Sequence, residues 1–184
     1  MKKTIRFIVL LALVLPLQVR AQGKYLTNEG KIRFYSHTAI EDIAADNAEV
    51  AAVIDSKTGD VAVIVKMKSF HFEKSLMEEH FNENYVESDT YPKATFNGTI
   101  VNNTAVDYGT PGTYAVTVEG KMSIHNTVKT VRTEGTVTVS GSGIRAHTGF
   151  LLNPEDYGIT IPRVVRKNLA ENMEITVELD CKPL

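Results

Sequence analysis

The chain has 184 residues, with 20 basic and 22 acidic side chains, 43% hydrophobic residues, one cysteine and no tryptophan. That balance excludes a disordered chain, and a formal charge of -2 excludes a strongly basic nucleic-acid binder. The lone Cys181 excludes an internal disulfide framework and a cysteine-clustered zinc site.

The first 21 residues read differently from the rest. Lys2, Lys3 and Arg6 precede an uninterrupted apolar run from Phe7 to Leu15, and Val19-Arg20-Ala21 offers a small-residue cleavage site after Ala21. This is the pattern of a secretory signal peptide. The run is about half of the roughly 18 apolar residues that a membrane span needs. No cysteine follows it, so a lipoprotein anchor is excluded there. Residues 1–21 carry four basic and no acidic side chains, so residues 22–184 keep 16 basic against 22 acidic, a net charge of -6. Such a chain is expected to be periplasmic or secreted, with no nucleic-acid partner and no stable membrane span once the signal is removed.

Residues 22–184 carry no internal repeat and no linker, and read as one domain made mostly of strands. In 31–39, Ile32, Phe34 and Ser36 share one face. Segments 48–56 and 61–70 flank the Thr-Gly turn of 56–60 and predict a hairpin, with Val61, Val63, Val65 and Met67 on one face. The spacing over 74–85 predicts a helix whose apolar face holds Leu76, Met77, His80, Phe81 and Tyr85, with His80 packed in the core. Segment 94–101 is a strand whose Asn97-Gly98 suggests a bulge. Segment 113–124 alternates cleanly, Tyr114, Val116, Val118, Gly120, Met122 and Ile124 against Ala115, Thr117, Glu119, Lys121 and Ser123. A tight turn at His125-Asn126 leads into 127–140, Gly141-Ser142-Gly143 turns the chain into 144–152, and the last strand is 173–180. A second, shorter helix fits 163–171, after Pro162.

About eight antiparallel strands joined by short turns need closure to avoid exposed edges. The expectation is an all-β, eight-stranded, lipocalin-like barrel with one main amphipathic helix, able to hold one small ligand.

Several stretches resemble one family: Ser69–Ile100, Val116–Val131, the TAIEDIAADN stretch at 38–47, Tyr91-Pro92-Lys93, and the DYGI segment at 156–159. On these the chain resembles the YceI-like family, with Asn126 where the family usually has glycine after the histidine. The resemblance implies an exported bacterial protein whose lipocalin-like barrel holds a polyisoprenoid chain or an isoprenoid quinone, with no required cofactor. A prenyl tail offers only apolar surface, so its site needs an apolar tunnel. The candidates to line it are Phe34, Val63, Val65, Met67, Leu76, Met77, Phe81, Phe96, Val116, Val118, Met122 and Phe150. The same residues could instead fill the barrel, giving a stress-responsive protein that works through protein contacts. His37 and His71 are candidates for a head-group contact, and His37, His71 or His125 for a metal- or haem-related accessory role. There is no HExxH and no GxSxG, and Cys181 sits three residues from the C-terminus, a poor place for an enclosed nucleophile, so an enzyme is not expected. A second copy of the chain, in a homodimer, is a candidate partner.

Overall fold

A computed structural model describes residues 23–184. The expected signal peptide at 1–21 lies outside the described residues. The eight long strands are β1 (Lys24–His37), β2 (Asp42–Asp55), β3 (Asp60–Lys66), β5 (Lys93–Ile100), β6 (Gly112–Ile124), β7 (Thr127–Ser140), β8 (Gly143–Leu152) and β9 (Met173–Pro183), with a two-residue β4 (His71–Phe72) between β3 and β5. All pairings are antiparallel. The order runs β1-β9-β8-β7-β6-β5-β3-β2, and pairing of β1 with β2 closes the ring. Closure removes the edges that so many strands would otherwise expose.

Alternation, shifted by one residue at a bulge, decides which side chains enter the barrel. On β3, Val61, Val63 and Val65 are buried and their neighbours exposed. On β2, Ala45, Asn47, Val50, Ala52 and Ile54 are buried. On β1, two register shifts flank Gly30, where a Cβ would lie 2.6 Å from Leu179 Cδ2. The extra residue falls on β1 between Thr27 and Gly30 and on β2 between Asn47 and Val50, while the bulge expected at Asn97-Gly98 is absent: Gly98 pairs in continuous register with Val61 and Gly120. Glycine is needed there for another reason. A Cβ on Gly98 would stand 2.3 Å from the Glu119 carbonyl and 2.6 Å from Phe96 Cζ, and one on Gly120 would stand 2.4 Å from Gly98 Cα. The Phe96 ring lies over this pair of missing side chains.

The two ends of the barrel differ. The β2–β3 and β7–β8 turns mark one end, here the turn end. The other, the helix end, carries the β1–β2 and β6–β7 turns, the β3–β5 connection and the β8–β9 connection. His125 and Asn126 both have positive φ, 48° and 60°, between the paired residues Ile124 and Thr127. This is a two-residue hairpin loop of type I′.

The β3–β5 connection holds the main helix, α1 (Ser75–His80), which continues as a π-helical turn over Phe81–Tyr85. The second helix expected at 163–171 is not formed: a single 3-10 turn, Arg166–Asn168, stands there. The β8–β9 connection is instead a strap tied to the rim. The Ala170 amide donates to Ser36 Oγ at 2.8 Å, and Asn168 Nδ2 donates to Glu41 Oε2 at 3.2 Å. Three expected strands are also redrawn. The strand expected at 61–70 ends at Lys66, where Met67–Ser69 form a 3-10 turn, and the strands expected at 31–39 and 48–56 begin earlier, at Lys24 and Asp42.

Candidate functional site

The barrel is hollow towards its helix end. A continuous cavity of about 660 Å³ runs along the interior, within the range of small-ligand pockets. Its wall comes from the inward faces of all eight barrel strands and β3's extension at Met67, and its cover from Met77, Phe81 and Tyr85 of the helix. Of the twelve tunnel candidates, Phe34, Val63, Val65, Met67, Met77, Phe81, Phe96, Val116, Val118, Met122 and Phe150 line this cavity.

Leu76 does not. It is 58% exposed, because the helix turns Met77, Phe81 and Tyr85 inward at a spacing of four and leaves Leu76 and His80 outside. The π-helical turn, with the Val86 amide donating to the Phe81 carbonyl at 2.9 Å, keeps Tyr85 on that face. His80 is likewise not a core histidine, but sits exposed at the rim of the cavity.

Both head-group candidates also point away. His37 is exposed and its Nδ1 lies 2.6 Å from Asp42 Oδ1. The hydrogen bonds from His37 and Tyr35 hold the Asp42 carboxyl below the usual carboxylate range. His71 is exposed, with Nδ1 3.5 Å from Glu78 Oε2. His125 is a third case. Its side chain is largely buried, with its ring 4.2 Å from that of Tyr91 and its Nε2 3.5 Å from Glu87 Oε1. Among the described residues, no three His, Cys, Asp or Glu side chains converge as metal ligands would.

The helix end is stoppered by aromatic rings. Phe34 lies 5.9 Å from Phe70, 5.5 Å from Phe72 and 5.8 Å from Phe81, and the Phe72 and Phe81 rings are 5.1 Å apart. Tilted and edge-on ring pairs at such separations add to the burial of their area. Above them, Lys74 Nζ donates to Glu41 Oε1 at 2.9 Å, which binds the start of the helix to the β1–β2 turn. The Lys74 hydrogen bond, followed by that of Asn168, holds the Glu41 carboxyl below its ordinary value.

The polar groups at the cavity are ones that sequence reasoning missed. Lys129 lies on the inward face of β7, its Nζ 2.6 Å from Asp156 Oδ1 and 5.8 Å from the centre of the Tyr157 ring. Counting back by twos from the buried Val139 and Val137 reaches Gly135, Thr133, Val131 and Lys129. The signal for a polar stretch of wall was therefore present in the alternation. Ile175 and Val177 of β9 and Leu169 of the strap also line the cavity. Cys181 is buried in β9, and burial, with Asp180 nearby, pushes its thiol up to about 12, far from a thiolate nucleophile. Among the described residues, no helix is long and apolar enough to cross a membrane.

Comparison with known proteins agrees with this architecture. None of the curated proteins matches the chain. Among solved structures, a polyisoprenoid-binding domain from Saccharophagus degradans, implicated in plant cell wall breakdown, superposes with a TM-score of 0.76 at 13% identity, over 88% of this chain and 99% of that one. BcnA of Burkholderia cenocepacia gives 0.67 at 16% identity, over 81% and 94% of the two chains. A YceI protein of Campylobacter jejuni gives 0.59 at 14% identity, over 78% and 86%. At these identities the likeness concerns the fold. The YceI-like domain model matches residues 24–181, which takes in every strand of the barrel, and the chain belongs to the YceI-like family.

Proposed function

We propose that the protein is an exported, non-enzymatic binding protein that sequesters or carries a polyisoprenoid or a similarly long apolar molecule, such as an isoprenoid quinone, inside its barrel. The observation that carries this reading is the 660 Å³ cavity walled by Phe34, Phe96, Phe150, Met67, Met122 and valines of β3 and β6. Burial of apolar ligand surface there yields roughly 25 cal/mol per Å². Unbranched methionines in the wall, Met67 and Met122, adapt to a flexible chain. A barrel filled by its own side chains fits this open volume poorly. The structural neighbour described as polyisoprenoid-binding supports the same ligand class. Export to the periplasm or outside the cell is supported by the basic start, the apolar run from Phe7 to Leu15 and the small residue at Ala21.

Native mass spectrometry and solvent extraction of protein purified from a bacterial host test the reading. The expected result is co-purifying long-chain lipid and saturable uptake of a prenyl quinone. Repeated preparations without lipid, together with no saturable uptake, would overturn it.

A further inference from the structure

Towards the helix end the ladder runs to or close to the strand ends at every seam but two, and those two are treated differently. Between β2 and β3, pairing covers only Ala51–Ile54 with Val61–Ile64. Above it the gap is filled: β4 pairs with Ala45 and Asp46, and Asn47 Nδ2 donates to the Lys66 carbonyl at 2.9 Å. Between β7 and β8, pairing runs from Ser140–Gly143 to Gly135–Thr148 and stops. From there to the helix end, residues 127–134 pair only with β6, and residues 149–152 only with β9, among the described residues. No strand fills this second gap.

The fork is built rather than frayed. At its base, Thr148 Oγ1 donates to the Glu134 carbonyl at 2.7 Å and lies 3.1 Å from Thr133 Oγ1. A hydroxyl thus takes the place of the next ladder amide, so the ladder ends with its carbonyl satisfied. Gly135 makes the last pair, where a Cβ would stand 2.5 Å from the His147 carbonyl. At the top, the 3-10 turn Pro154–Tyr157 reaches across from the end of β8, and Asp156 meets Lys129 of β7. The cavity reaches into the opening between, touching Val131, Arg132 and Thr133 on one side and Phe150, Leu151 and Leu152 on the other. The helix end, by contrast, is stoppered by the four phenylalanine rings and tied by Lys74, Glu41 and Asn168.

We infer that the β7–β8 fork is the port of the cavity: an apolar chain passes sideways through the barrel wall between Val131–Thr133 and Phe150–Leu152, under the Lys129–Asp156 bridge, and not along the barrel axis. This rests on the binding reading above. Both partners of that bridge are substantially exposed, so the bridge is weak enough to open without unfolding the barrel. The terminal head of such a ligand stays at the fork, where Lys129 is the cation that meets it.

The test closes each route in turn. Arg132→Cys with Leu151→Cys, joined by a short bis-maleimide, staples the fork; both side chains are exposed, and the buried Cys181 does not compete for reagent. Glu41→Cys with Lys74→Cys, joined likewise, staples the helix end. Uptake and release of a fluorescent long-chain alcohol from neutral phosphatidylcholine vesicles are followed by stopped flow, with the unstapled double variants and their melting temperatures as folding controls. The fork staple should slow both rates at least tenfold relative to the unstapled double variant, and the helix staple should leave the rates within about twofold. If the unstapled protein takes up probe and the fork staple leaves its rates unchanged, the port is overturned and the cavity reading survives. If the unstapled protein takes up none, both fall together.

Discussion

The two halves of the barrel are built from the same strands and put to different uses. Towards the turn end, Val50, Val139, Ile144 and Cys181 are almost wholly buried, and β7 and β8 are laddered residue by residue. Towards the helix end, Phe96, Val118, Met122, Phe150 and Ile175 face the same interior, yet each keeps part of its surface open to the cavity. The close-packed half supplies the stability. The other half can therefore forgo interior contacts and part of its ladder and still hold its shape. Stability and capacity are divided along the strand axis, not between separate elements.

Matched substitutions give the largest expected contrast. Ile144→Asp places an unpaired carboxylate in the packed half and should cost several kcal/mol or prevent folding. Met122→Asp places the same group against the cavity, where water can reach it. It should leave a folded barrel, with a smaller drop in melting temperature and loss of prenyl-quinone uptake. Equal loss of stability in chemical denaturation would erase the division between the halves. Next in size is Gly120→Ala, whose added methyl meets the Gly98 backbone and the Phe96 ring. Overpacking of this kind costs about 1–3 kcal/mol, and calorimetry should show it alongside reduced uptake.

Smaller still is Lys129→Gln. Exposed ion pairs contribute about 0.2–1 kcal/mol, so losing the bridge to Asp156 should speed probe release by up to about fivefold, with the melting temperature lowered by no more than about 4 °C. The smallest effect concerns Glu41. Its carboxyl titrates below the ordinary glutamate value in the folded protein, through the Lys74 hydrogen bond first. Its contribution is therefore full above the ordinary value and is lost as pH falls through the lowered one. Melting temperature should decline as pH falls below the ordinary glutamate value, and Glu41→Gln should show a slightly shallower decline.

Much of this architecture was legible because alternation is a local property. The run from Tyr114 to Ile124 identified its inward face with no knowledge of its neighbours, and so did Val61 to Met67. Eleven of the twelve proposed lining residues follow from such runs or from the helix stripe. The helix stripe was broader than the face that the fold uses: a barrel end accepts one row, and the row through Met77, Phe81 and Tyr85 excludes Leu76. His37 points away because the alternation of β1 turns Phe34 and Ser36 inward and His37 outward, where it meets Asp42, and His71 is the outward residue of the two-residue β4, beside Glu78. The helical pattern at 163–171 yielded to tertiary ties at Asn168 and Ala170, which outweigh local propensity. The fork was hidden because the end of a ladder depends on two strands at once. Its trace in β7 alone is the inward placement of Thr127, Lys129 and Thr133, where a sealed wall would carry apolar residues.

The Phe96 ring resting on Gly98 and Gly120 has a further consequence for calibre. In most barrels the bore follows from strand number and stagger, which no single substitution changes. Here one aromatic plate lies where two opposing side chains are missing, so the local width of the channel follows from one residue's size. Discrimination between straight and methyl-branched chains can thus shift through position 96 alone, with the eight-stranded frame untouched.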